Sequence, residues 1–131
     1  MKIAIITDDE HTISRHFGRA PYYLVATIEN GQIVNRERRE KLGHAQFGSE
    51  PHEHQSGEQH GFDPTAQDRH ARMAEAIADC AVLICGGMGA GAYQSMQARG
   101  IQPIVTDLES IDEAITAYLE GHLVDQVERL H

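Results

Sequence analysis

Blocks of apolar residues along the chain predict an alternation of strands and helices. Segments 2–7 and 81–85 are almost continuously apolar, which is typical of strands buried on both faces. Apolar residues at helical spacing predict a helix that begins at Asp63-Pro64 and buries Ile77. The other predicted strands are 22–28, 32–39 and 101–106, and the other predicted helices are 90–99 and 110–121.

The order of these elements predicts an α/β fold with a five-stranded mixed sheet. Asn30-Gly31 is a hairpin signal, because a tight turn needs positive φ. The first three strands are therefore expected to form an antiparallel meander. The last two alternate with helices, in the order βββ-αβ-αβ-α, and should run parallel to the first through right-handed crossovers. The first strand then lies in the middle of the sheet, and residues 1–131 form one domain.

Three segments depart from this pattern. Residues 43–63 are polar and rich in Gly, His, Gln and Glu, which predicts an insertion without a core of its own. Residues 36–41 are all charged and are expected to keep an exposed sheet edge from pairing with another chain. Residues 122–131 have apolar positions at irregular spacing, which indicates a docking tail or a partial helix.

Charge and cysteine content narrow the class of partner. Among 131 residues, 20 are acidic and 11 are basic, which gives a net charge of −9 with neutral His. Such a charge repels phosphate backbones, so nucleic acid is not an expected partner. Two Cys cannot staple a secreted fold, and the sequence shows neither a leader nor a bilayer-length apolar run. We therefore expect a cytoplasmic protein with no membrane partner.

A glycine-rich turn, Cys85-Gly86-Gly87-Met88-Gly89, joins a predicted strand to a predicted helix. N–H groups at a helix N-terminus attract anions, and glycine lets a ligand approach the main chain. The alternative is that the glycines only permit a tight turn. Cys85 could offer a thiolate to a soft metal, with its pKa lowered by the helix N-terminus, or could be a small buried residue. Met88 is a soft ligand in the first interpretation and a packing residue in the second.

A second group of candidate residues lies in loop 8–21, which follows the first strand. His16 could ligate a metal through its imidazole, and Arg15 and Arg19 could offset the charge of sulfides or oxyanions. The alternative for His16 is a hydrogen bond to the backbone. We expect Phe17 to anchor this loop in the core.

Histidines form a third group. The chain has nine, and five of them lie between His44 and His70. His52, His54, His60 and His70 could together hold Zn²⁺, Ni²⁺ or Cu²⁺. Their spacing matches no closed structural zinc motif, so the alternative is a polar loop without a specific metal. His70 could equally be a residue at the edge of the core.

The chain resembles the dinitrogenase iron–molybdenum cofactor biosynthesis family over residues 1–39 and 66–123. The motifs that carry the resemblance are Ile3-Ala4-Ile5, His16-Phe17-Gly18-Arg19-Ala20-Pro21-Tyr22-Tyr23, Gly86-Gly87-Met88-Gly89-Ala90-Gly91-Ala92, Gly100-Ile101, and Ala114 through Tyr118 to Gly121-His122-Leu123. The resemblance implies a ribonuclease-H-like α/β sandwich. It also implies a non-enzymatic protein that binds an anionic metal–sulfur cluster, a thiometalate or a cofactor precursor containing iron, molybdenum or copper. Cofactor-assembly proteins are further expected partners.

Our leading hypothesis is that this ligand binds in the cleft between loop 8–21 and the glycine turn. The expected binding residues are Arg15, His16, Arg19, Cys85, Gly86, Gly87, Met88, Gly89, Ala90 and Gly91. His16 would be the ligand, the arginines would offset negative charge, and the main-chain amides of residues 86–91 would cradle the anion.

Two other functions stay open on the sequence. The first is a module that buffers or senses Zn²⁺, Ni²⁺ or Cu²⁺ through the histidines of residues 44–70. The second is a phosphohydrolase or nuclease dependent on Mg²⁺ or Mn²⁺, which would need converging carboxylates such as Asp8 and Asp9. Residues 3–6 in the body of the first strand contain no acid, which disfavours the second.

Overall fold

A computed structural model of the chain describes residues 1–41 and 64–131. Within them the strands are β1 (Lys2–Thr7), β2 (Tyr22–Glu29), β3 (Gln32–Glu40), β4 (Val82–Cys85) and β5 (Gln102–Val105), and the helices are α1 (Pro64–Glu75), α2 (Ala90–Ala98) and α3 (Ile111–Leu119), followed by a 3₁₀ turn at Val127–Arg129. The predicted α/β fold with a five-stranded mixed sheet is confirmed. The predicted insertion at about 43–63, with His44, His52, His54 and His60, lies outside the described residues.

The sheet has the strand order β3-β2-β1-β4-β5. β1 is antiparallel to β2 and parallel to β4, so that Ala4 lies opposite both Val25 and Leu83. β4 and β5 are also parallel. The predicted central position of β1 is therefore confirmed, and its continuous apolar sequence is explained by burial on both faces.

The β2–β3 connection is the tight hairpin that the sequence predicts. Asn30 and Gly31 both have positive φ, 55° and 74°. This backbone matches the right-handed twist of the flanking strands.

Two helical layers cover the two faces of the sheet. One core, which includes Met73, Ile77 and Met96, joins α1, the turn that follows it, and α2 to one face. The other core packs Ile111 and Ile115 of α3 against the opposite face. Within residues 1–41 and 64–131, no helix combines the length and apolar character needed to cross a membrane.

Charged residues of β3 form ion pairs on both faces of the sheet. Arg36 pairs with Asp112 of α3 at 2.7 Å, and Arg39 pairs on the other face with Asp79 at 2.7 Å. Lys41, just beyond the strand, is only 3% exposed. The expectation that residues 36–41 are all an exposed edge is thus wrong at Lys41, because alternate positions point to opposite faces.

Candidate cofactor-binding site

The first part of loop 8–21 is organised by hydrogen bonds to the carboxylate of Asp9. Asp9 Oδ1 accepts from the main-chain N–H groups of Thr12 (2.8 Å) and His11 (2.9 Å). These bonds, chiefly that from Thr12, hold the pKa of Asp9 well below its usual range, since they favour the charged form. These hydrogen bonds fix the path of the chain as it leaves β1.

The loop is next attached to the segment that precedes α3. Ile13 N donates to Glu109 O at 2.8 Å, and Ile111 N donates to His11 O at 3.1 Å. Ile13 itself is buried in the core beneath α3. The loop is therefore held by main-chain bonds before it reaches its basic residues.

The second part of the loop runs along the glycine turn. Gly86 N donates to Ser14 O at 2.8 Å, and Phe17 N donates to Gly87 O at 3.0 Å. A Cβ at position 87 would lie 2.5 Å from the Arg15 oxygen. Glycine is required here because the main chain of the loop occupies that space.

Phe17 and Lys41 anchor the loop from beneath. Phe17 is 3% exposed, which confirms the expected anchor. The Lys41 ammonium donates to Phe17 O and lies 4.2 Å from the centroid of its ring. Burial, with a smaller contribution from the positive charge of Arg69, lowers the pKa of Lys41 to about 7.

Sequence reasoning missed Lys41 as part of the site. It stands last in a charged run, which favoured an exposed position. Its position could have been predicted from the two-residue period of a strand, which places Lys41 on the same side of β3 as Arg39 and Glu37.

The predicted basic residues are on the surface of the loop, and Arg15 contacts the glycine turn at Gly86. Arg15, His16 and Arg19 are exposed. Arg15 approaches Glu109 at 3.5 Å, a surface pair that contributes little to stability. Main-chain bonds from Arg19 N and Ala20 N to His16 O, both 3.0 Å, form the tight turn that presents these side chains.

The amides of residues 86–91 are only partly available to an anion. Gly86 N is used by Ser14 O, and Ala90 N donates to His131 O at 3.0 Å. Gly91 and Ala92, which follow in the first turn of α2, are buried.

Cys85 and Met88 face inward. Cys85 has no exposed surface, and burial raises the pKa of its thiol to about 12, against the lowering effect of a Gly87 main-chain hydrogen bond. The expected lowering of the Cys85 pKa is wrong, because desolvation outweighs the helix N-terminus. Met88 is 1% exposed and packs in the core beneath α1 and α2.

Of the predicted metal ligands, only His16 and His70 lie in the described part of the chain, so the predicted metal site stays a prediction. His70 is half-buried on α1, and His52, His54 and His60 lie outside the described residues. Among residues 1–41 and 64–131, no three His, Cys, Asp or Glu side chains are close enough together to hold a metal ion.

Comparisons with known proteins identify relatives over nearly the whole chain. It is 32% identical over 123 residues to the uncharacterized protein MJ0580 of Methanocaldococcus jannaschii, a match that covers 94% of this chain and 89% of that protein. It is 29% identical over 118 residues to Protein NifX of Azotobacter vinelandii, covering 89% of this chain and 64% of NifX.

Solved structures share the fold. The crystal structure of PH0822 matches with a TM-score of 0.66 at 22% identity and covers 96% of both chains. The apo form of the orange protein from Desulfovibrio gigas matches with a TM-score of 0.65 at 21% identity, over 93% of this chain and 89% of that chain. At these identities the likeness concerns the fold alone.

The family model described as dinitrogenase iron–molybdenum cofactor matches residues 1–121. This span contains all five strands, loop 8–21 and the glycine turn. The resemblance seen in the sequence motifs is therefore confirmed, and the chain belongs to the dinitrogenase iron–molybdenum cofactor family.

Proposed function

We propose that this protein is a non-enzymatic carrier of an anionic metal–sulfur cluster, a thiometalate or a cofactor precursor. The observation that carries the proposal is the main-chain attachment of loop 8–21 to the glycine turn, through Gly86 to Ser14 and Phe17 to Gly87. This attachment brings the main chain of a loop with exposed basic residues against the turn that precedes α2. Membership of a family named for the iron–molybdenum cofactor supports a ligand of this class.

The chemistry of the site suits an anion that already has its own sulfide ligands. His16 offers an imidazole nitrogen to an iron, molybdenum or copper atom. Arg15 and Arg19 supply positive charge within a chain whose net charge is −9. The N-terminus of α2 adds the positive end of the helix dipole.

The experiment is an anaerobic titration of the purified chain with tetrathiomolybdate, followed by visible absorption and by element analysis of the gel-filtered protein. We expect stoichiometric binding to the wild type and binding weakened by about tenfold or more in His16→Ala, the order of one lost ligand contact. The matched control is His11→Ala, since His11 is exposed in the same loop but precedes the part that runs along the glycine turn.

The titration can contradict either the role of His16 or the carrier function as a whole. Equal affinities in wild type, His16→Ala and His11→Ala would remove His16 from the site. Absence of binding to any form, together with no response to an iron–sulfur donor, would overturn the carrier function.

Finer points remain predictions. These are the ribonuclease-H-like classification, the single domain, the cytoplasmic location and the role of cofactor-assembly proteins. Metal binding by His52, His54 and His60 also stays a prediction, and deletion of residues 44–62 tests it. Loss of all bound metal in that variant would favour a Zn²⁺, Ni²⁺ or Cu²⁺ module, whereas retained tetrathiomolybdate binding would favour the carrier.

A further inference from the structure

Residues 125–131, here called the 125–131 segment, lie directly on the glycine turn. His131 N donates to Met88 O at 3.2 Å, and His131 O accepts from Ala90 N at 3.0 Å. The imidazole Cε1 of His131 is 3.7 Å from the point that a Cβ of Gly87 would occupy. Because Ala90 is the first residue of α2, the segment uses an amide that the helix would otherwise offer to an anion.

The segment is anchored at its other end on β5 and α2. Asp125 Oδ1 accepts from Val105 N at 2.9 Å, and its other oxygen accepts from the Tyr93 hydroxyl. Gln126 N donates to Val105 O at 2.8 Å. Leu130 packs, partly buried, against the core shared by α1 and α2. Gln126 Nε2 also donates to Asp107 Oδ1 at 3.2 Å, so the segment is held chiefly near its two ends.

The remainder of the segment is weakly held. Its only regular structure is the single 3₁₀ turn, and Val127 within that turn is 51% exposed. Nε of Arg129 is buried without a hydrogen-bond partner among the described residues, which destabilises the docked position. Segments with few buried apolar contacts open at a small fraction of the global unfolding free energy.

An anion competes with the His131 main-chain oxygen for the Ala90 amide. The positive end of the helix dipole favours the acceptor with the greater negative charge. A dianionic thiometalate at the N-terminus of α2 would therefore replace the His131 oxygen.

We propose that the 125–131 segment is a displaceable cover: it occupies the N-terminus of α2 in the ligand-free protein and is released when an anionic metal–sulfur species binds. This inference rests on the proposed carrier function and adds a conformational step to it. The family model matches residues 1–121 and therefore does not include this segment.

The experiment compares tetrathiomolybdate affinity and amide hydrogen exchange in the full chain and in variants of the anchors. Asp125→Ala removes both anchoring acceptors, while Tyr93→Phe and Leu130→Ala weaken the segment more gently, in case Asp125→Ala does not fold. Val124→Ala is the matched control, because Val124 adjoins the segment but is 68% exposed.

We expect the anchor variants to bind tetrathiomolybdate about threefold to tenfold more tightly than the wild type and Val124→Ala, since a larger fraction of the protein is already open. In the wild type, saturation with tetrathiomolybdate should abolish the exchange protection of the His131 amide. Unchanged or weaker affinity in the anchor variants, or a His131 amide still protected at saturation, would overturn the cover and leave the carrier function standing. Failure of every form, including the opened variants, to bind would overturn the carrier function and the cover with it.

Discussion

Replacing Gly87 by alanine tests the contact between loop 8–21 and the glycine turn. The added Cβ would lie 2.5 Å from the Arg15 oxygen and 3.5 Å from its carbonyl carbon, and the first distance is far inside van der Waals contact. Gly87 does not have a positive φ, so its backbone is open to alanine and only the space decides. The neighbour is main chain, which cannot rotate away as a side chain would.

The size of the effect follows from what must move. Either the loop is strained in place, at about 1–3 kcal/mol for an overpacked site, or it lifts and loses the bonds Gly86 N to Ser14 O and Phe17 N to Gly87 O. Two such bonds contribute about 1 kcal/mol each, so the two routes give similar losses. For a chain of 131 residues, this lowers the Tm by about 4–11 °C.

Thermal unfolding by circular dichroism provides the measurement, and Gly18→Ala provides the control. Gly18 lies in the same loop, but a Cβ there would meet nothing within 4 Å, so its Tm should stay level or rise slightly through a less flexible unfolded chain. Gly86→Ala, whose Cβ would lie 2.9 Å from the Ser14 oxygen, should also be destabilised. If Gly87→Ala melts at the same temperature as Gly18→Ala, the close approach of loop and turn does not exist in solution.

Two further predictions concern buried titratable groups. Because burial raises the pKa of Cys85 to about 12, a Cys80→Ala variant should react with a thiol-specific disulfide reagent at pH 8 only as fast as it unfolds; rapid modification of the native protein would contradict the buried placement of Cys85. Because burial lowers the pKa of Lys41 to about 7, the unfolded chain binds the proton more tightly than the folded one above that pH. The free energy of unfolding of the wild type, relative to Lys41→Met, should therefore rise from about pH 7 to about pH 9 by at most about 1.4 kcal/mol per pH unit. Urea titrations across this range measure the difference, and a pH-independent difference would mean that Lys41 is solvated.

Features governed by local pattern could be predicted from the sequence. The apolar run of β1 predicted its central position, since only a strand covered on both faces avoids polar alternation. Asn30-Gly31 predicted the hairpin because two consecutive positive φ angles are needed there. The loop and the glycine turn could be placed at one end of the sheet because parallel strands share their C-terminal edge.

Features governed by long-range contacts could not be predicted in this way. The burial of Lys41 depends on Phe17, 24 residues earlier, and no local period contains that information. The pKa of Cys85 depends on how fully the surrounding layers exclude water, and a turn motif alone suggested the opposite shift. The docking of His131 on Ala90 is likewise a tertiary contact without a signature in its own spacing.

The loop that follows β1 is held by main-chain hydrogen bonds at Ser14 and Phe17, by the Asp9 carboxylate, and by the buried side chains of Ile13 and Phe17. Its course is therefore nearly independent of the exposed side chains at positions 15, 16 and 19. Under the proposed carrier function, substitutions there would change what the protein binds without disturbing how the loop folds. Such a separation of scaffold from recognition lets one architecture diversify towards different cargoes by point mutation.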